Sequence, residues 1–170
     1  MRGSGMEGVP IRLARRGDIP SLLLLWTAMM EEFVSLDPRF AVHPQAREHM
    51  AATLASWLQD PNRIVVVAEE GGRMIVGFAA GVVAPGNGWQ VPERVGRISD
   101  TYVAKPRRRM GIARRLAGRI LDLLYEKGVG TVRLAAAVHN EGAVAFWRSM
   151  GWSELETVLE RPVEGPTADA

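Results

Sequence analysis

The sequence predicts a mixed α/β (α+β) domain, on two observations. A β-branched run, Ile64–Ala68, is joined through Glu70-Gly71-Gly72 to a second apolar run, Met74–Val83, and the pair reads as a hairpin. A strongly periodic helix, Gly111–Lys127, lies between two alternating runs, Arg97–Val103 and Thr131–Val138. A hairpin followed by a strand–helix–strand unit needs a sheet with both antiparallel and parallel pairs, the parallel one closed by a right-handed crossover.

Taken in order, Ile11–Ala14 is a short strand. Asp18 offers an N-cap and Pro20 suits a first turn, so the apolar run Leu22–Phe33 predicts a helix. A second helix is expected over Pro44–Leu58, ending before Asp60-Pro61-Asn62. After the hairpin, Pro85-Gly86-Asn87-Gly88 breaks the chain. Alternation in the strand Arg97–Val103 puts Ile98, Asp100 and Tyr102 on one face. In the next helix Ile112, Leu116, Ile120 and Leu123 form an apolar stripe, and Gly128 and Gly130 end it. The strand Thr131–Val138 collects Val132, Leu134, Ala136 and Val138 on one side. Asn140 caps a short helix to Met150, Gly151 closes it, and Thr157–Arg161 is expected to be a final strand. The order is β-α-α-β-β-β-α-β-α-β, one domain over residues 9–161. Residues 1–8 open with the tag-like Met1-Arg2-Gly3-Ser4, and residues 162–170 read as a flexible tail.

With 170 residues, 47% hydrophobic and 24% charged, the chain is long enough for one substantial core and has a soluble balance. It has no cysteine, so neither a disulfide nor a thiol nucleophile is available. His43, His49 and His139 lack metal-ligand spacing, and no metal is expected. The sequence shows neither an uninterrupted apolar run of about 20 residues nor a secretory start, which points to the cytoplasm and away from a membrane. The basic residues cluster: Lys105-Pro106-Arg107-Arg108-Arg109 is followed by Arg114, Arg115 and Arg119. Such a cluster is either a solvated basic face or a site for nucleic acid, a membrane surface or a phosphorylated cofactor. Nucleic acid is disfavoured, because interleaved aromatics and a recognisable binding motif are missing.

Context decides among these. Arg108-Arg109-Met110-Gly111-Ile112-Ala113 lies between a strand and a helix start, where unpaired N–H groups and the helix dipole favour phosphate. Gly111 and Ala113 are small enough for a ligand to approach the main chain. The glycine spacing is neither that of a Walker loop nor that of the dinucleotide fingerprint.

The segment resembles motif A of the GNAT N-acetyltransferase superfamily, Gln/Arg-x-x-Gly-x-Gly/Ala, with Arg108, Gly111 and Ala113 at the defined places. Asp100-Thr101-Tyr102-Val103 is similar to that superfamily's fourth strand. The run from Asn140 through Phe146-Trp147 to Gly151-Trp152 resembles its motif B, and Ile11–Ala14 with Asp18-Ile19-Pro20 its opening strand and helix. The resemblance covers residues 9–161. It implies a mostly antiparallel sheet, helices on both faces, and a parallel crossover at a coenzyme cleft.

It also implies acetyl-CoA as co-substrate, an amine of a small molecule or protein as acceptor, and a homodimer. The main chain of Tyr102 and Val103 would hold pantetheine, and the N–H groups of Arg109, Met110, Gly111, Ile112 and Ala113 the pyrophosphate. Arg108, Arg109 and Arg114 would add charge, Asn140 would approach from the far strand, and Phe146 and Trp147 would line the channel. Asp100 is the first candidate base, with ordering of a strand edge or binding of a cationic substrate as its other reading; Glu31 and Glu32 come second. Trp26, Met29, Met30 and Phe33 fit either an acceptor wall or core packing, and Trp89 a loop near the acceptor or an interface. Trp147 stands where many members carry a tyrosine that protonates the leaving thiolate, and an indole is no acid. Water, Ser149 or Tyr102 is left for that step, or the thiolate leaves unprotonated. The alternative is an acyl-CoA sensor that kept the cradle and lost the chemistry.

Overall fold

The computed structural model describes residues 8–86, 89 and 92–162. The tag-like start, the tail after residue 162, and Asn87 and Gly88 of the expected chain break lie outside them. The strands are β1 (Ile11–Leu13), β2 (Arg63–Glu70), β3 (Met74–Pro85), β4 (Arg94–Val103) and β5 (Val132–Leu134). The helices are α1 (Ile19–Leu36), α2 (Ala46–Trp57), α3 (Ile112–Glu126) and α4 (Glu141–Ser149). The sheet runs β1-β2-β3-β4-β5, antiparallel except for the parallel β4–β5 pair.

Each face of the sheet carries a core. On one, α3 inserts Leu116, Ile120 and Leu124 over Val66 and Ala79. On the other, Leu22 of α1 and Leu54 of α2 cover Val67 and Phe78. Gly71 and Gly72 turn the β2–β3 hairpin at φ 61° and 75°, a region open to glycine without a Cβ penalty. By length and composition Arg16–Leu36 is apolar enough to cross a membrane, contrary to the sequence expectation. In the fold, α1 instead buries Leu22, Leu25 and Met29 against the sheet. Asp18 precedes α1 without capping it. Its carboxylate accepts from Arg12 (2.7 and 2.9 Å) and from the Arg15 N–H, tying the chain entry to β1.

Three expectations need correction. Ile98, Asp100 and Tyr102 do not share a face. The register slips between Ala80 and Gly81, which face Asp100 and Ile98, so Ser99 is an extra residue in β4. Ile98 therefore joins the α3 core and Tyr102 the α1 core. The strand expected over Thr131–Val138 pairs only at Val132–Leu134. Thr157–Arg161 forms no strand and leaves Val158 and Leu159 exposed; the short β5 edge offers little to pair with.

Candidate active site

The site begins where β4 and β5 part. Their pairing ends at Ile98–Leu134, while β4 continues to Val103 and the other chain leaves through Ala135, Ala136 and Ala137. The Ala104 N–H donates to Val76 O at 2.9 Å, so in the antiparallel ladder the main chain of Asp100 and Tyr102 faces β3. By alternation the N–H groups of Thr101 and Val103 face the opening. The free strand edge is therefore carried by Thr101 and Val103 rather than by Tyr102 and Val103. Thr101 was missed in the sequence, although the period-2 ladder contains it.

The opening leads to the start of α3. Gly111 is its N-cap, at φ 73°, and no side chain caps the helix. Arg109 also has positive φ, 65°, unusual for a non-glycine residue. Left-handed residues alternating before an uncapped helix turn successive N–H groups into one concavity, an anion nest. A Cβ built on Gly111 meets nothing within 4 Å, so the space over it is open. Met110 projects outward, 59% exposed, and only its main chain belongs to the loop.

A cleft of about 760 Å³ unites these parts. It is lined by Asp100, Tyr102, Val103, Arg108, Arg109, Gly111, Ile112, Ala113, Arg114, Asn140, Phe146 and Trp147, all sequence candidates, and also by Thr101 and the Ala135–Ala137 run. Met110 does not line it. Asn140 does so while its side chain accepts from the Ala143 N–H at 3.1 Å and caps α4.

Residues 26–152 match the model of the Acetyltransferase (GNAT) family. The chain belongs to that family. The fold agrees with solved structures at low identity. A tetramutant of a Bacillus halodurans protein superposes with a TM-score of 0.79 at 21% identity, covering 91% of this chain and 99% of that one. An aminoglycoside N-acetyltransferase in complex with CoA gives 0.72 at 19% identity, covering 92% and 95%. The aminoglycoside 6'-N-acetyltransferase of Acinetobacter haemolyticus gives 0.71 at 17% identity, covering 91% and 98%. The residues present suit a GNAT coenzyme: an open strand edge, an uncapped helix with a left-handed approach, and unfilled space over Gly111.

Arg108, the first residue of the GNAT motif, is not aimed at the nest. Its Nε donates to Val103 O at 2.9 Å, and its Nη2 donates to both Glu32 oxygens at 2.8 and 2.9 Å. The guanidinium also sits 5.2 Å from the centre of the Tyr102 ring. The Tyr102 hydroxyl donates to the same Glu32 at 2.7 Å. Glu32 thus ties α1, β4 and the motif A loop together. Burial works to raise its pKa, but the Tyr102 and Arg108 hydrogen bonds, with Arg108 and Lys105 charge, hold it below the usual range. An anion held this way is a poor base, which removes Glu32 from that role.

Asp100 is the opposite case. Burial raises its pKa, opposed by the Ser99 hydrogen bond and the Arg63 charge. It lines the cleft on the face shared with Tyr102. Glu31 is exposed and lines a neighbouring cavity of about 710 Å³, with Ser35, Leu36 and Lys105. Trp26 and Met30 line neither cavity and pack partly buried against the α1 core, whereas Met29 and Phe33 reach the main cleft. Trp89 is exposed.

Trp147 is buried, edge-on to Phe146 (4.9 Å) and Trp152 (5.3 Å). It is a wall. Burial and the Glu32 carboxylate push Tyr102 up to about 12, too high to hand a proton to a thiolate. The Ser149 hydroxyl is engaged with Phe146 O (2.7 Å) and Arg114 Nη2 (3.1 Å).

Proposed function

We propose that this protein is an N-acetyltransferase that moves an acetyl group directly from acetyl-CoA to a primary amine. The observation that carries the reading is continuity. The opening between β4 and β5 runs without interruption into the uncapped, left-handed entry of α3, giving an extended arm one site and its phosphates another.

When bound, acetyl-CoA supplies an acyl carbon activated as a thioester. The chain does the rest. The N–H of Val103, nearer the nest, pairs with the pantetheine arm, and the N–H of Thr101, beside Asp100, is the oxyanion donor. The nest from Arg109 to Ala113 holds pyrophosphate, with Arg109 and Arg114 as counter-charge. Arg108 holds Val103 O and Glu32, and so fixes the strand edge rather than the phosphate. Asp100 accepts the ammonium proton, because burial brings its pKa closer to neutrality than an exposed aspartate. The thiolate departs as the anion and takes its proton from water, since the Trp147 indole is no acid and Tyr102 and Ser149 are committed elsewhere.

Thiol release from acetyl-CoA over a panel of primary amines is the test. Saturable release with at least one amine is expected. Coenzyme binding without release from any amine would favour the acyl-CoA sensor, the reading that the buried Trp147 supports.

A further inference from the structure

One row of the sheet carries three arginines on the face opposite α3. Arg63 of β2 faces Val82 of β3, Val82 faces Arg97 of β4, and Arg97 faces Arg133 of β5. All three therefore point to the side of α1 and α2, since their neighbours Ile64, Ile98 and Leu134 face α3. Arg97 and Arg133 are direct cross-strand neighbours, and like charges so placed repel. Among the described residues none of the three forms an ion pair. Arg63 stacks 4.4 Å over the Trp57 ring, which leaves its N–H edges available. The Arg133 Nε is buried without a hydrogen-bond partner, a cost that a native fold leaves in place only where something else satisfies the group.

The row adjoins the reaction centre. The next row on the same face is Val65, Ala80 and Asp100. The rows lie two residue steps apart along β3, from Val82 to Ala80, or about 6–7 Å at the rise of a strand.

We infer that the acceptor carries an anionic group, a carboxylate or a phosphate, about 6–7 Å from its reactive amine, bound by Arg97 and Arg133 with Arg63 beside them while the amine meets Asp100. The acceptor class is a dipeptide-sized or phosphorylated amine, in contrast to the polycationic aminoglycosides. This rests on the acetyltransferase reading for the amine, and on the arginine row alone for the anion.

The test is calorimetric titration of the full chain, without acetyl-CoA, with glycylglycine, glycylglycinamide and O-phosphoethanolamine. Binding of at least one anionic probe about tenfold tighter than the amide is expected, with the tighter probe distinguishing carboxylate from phosphate. Arg133→Gln and, separately, Arg97→Gln should bring that probe to within about twofold of the amide. Equal binding of the three probes, or a preference that survives both substitutions, would overturn the proposal. The titration needs no turnover, so its outcome is separate from thiol release: an anion preference with no release from any amine would sink the transfer reading and leave the anion row standing.

Discussion

At the scale of single residues, Asp100 and Gly111 carry opposite kinds of strain. Burial raises Asp100, so its folded form holds a proton more tightly than its unfolded form. The sign follows by linkage: the carboxyl is tolerated best when protonated, and its contribution is lost as pH rises through the folded pKa. Asp100→Asn is therefore expected to raise the melting temperature at neutral pH while cutting turnover by about 10²-fold or more. Wild-type turnover should climb through a pKa above the ordinary aspartate value, and the variant should lose that limb. A pH–rate profile beside a melting curve checks both. Gly111 has room for a side chain but a backbone that resists one, at φ 73°. Gly111→Ala is expected to cost about 1–2 kcal/mol of stability. Gly111→Glu adds a carboxylate in the open space over the nest, and should abolish coenzyme binding in a protein that still folds. Unchanged acetyl-CoA affinity in that variant would refute the nest.

At the scale of elements, the motif A loop was legible because its signal is local: small residues between a strand end and a helix start. Its direction was not. Arg108 reads as a phosphate ligand by its place in the motif, yet Glu32, 76 positions away in the chain, draws it to α1. Such a distant partner leaves no trace in spacing. The Ser99 bulge is a second case. A single extra residue moved Ile98 and Tyr102 to opposite cores, and nothing in Arg97–Val103 marks it, since bulges are set by pairing with β3. The same bulge brings Asp100 and Tyr102 onto the α1 face. The Glu32 cluster has its own test. Its low pKa makes its stabilisation present above the unfolded carboxylate value and lost as pH falls through the folded one. Glu32→Gln should cost about 1 kcal/mol at neutral pH, since the cluster is part-exposed, and less as the pH falls below 4. It should also raise KM for acetyl-CoA by loosening the Val103 edge. Urea melts at several pH values and initial-rate kinetics would measure the two effects.

At the scale of the whole molecule, the hairpin and the crossover were readable from periodicity, while helices on both faces of the sheet were implied by the family resemblance. The length of β5 was not: Thr131–Val138 alternates well, but only three residues find β4. That shortfall opens the cleft proposed to hold the coenzyme, since a strand pairing along its full length would close it. The described fold thus concentrates its departures from regular pattern where the site lies: the early end of β5, the bulge before Asp100 and the left-handed entry of α3.

The claim that this opening is a coenzyme site is tested most directly by thermal unfolding of the full chain with and without acetyl-CoA. A ligand that binds only the native state at 100 times its Kd stabilises by about 2.7 kcal/mol. For a domain of this size that corresponds to a rise of about 5–10 °C, which grows with the logarithm of the acetyl-CoA concentration. That rise, absent in Gly111→Glu, is the expected result. A melting temperature unmoved by millimolar acetyl-CoA would contradict the account.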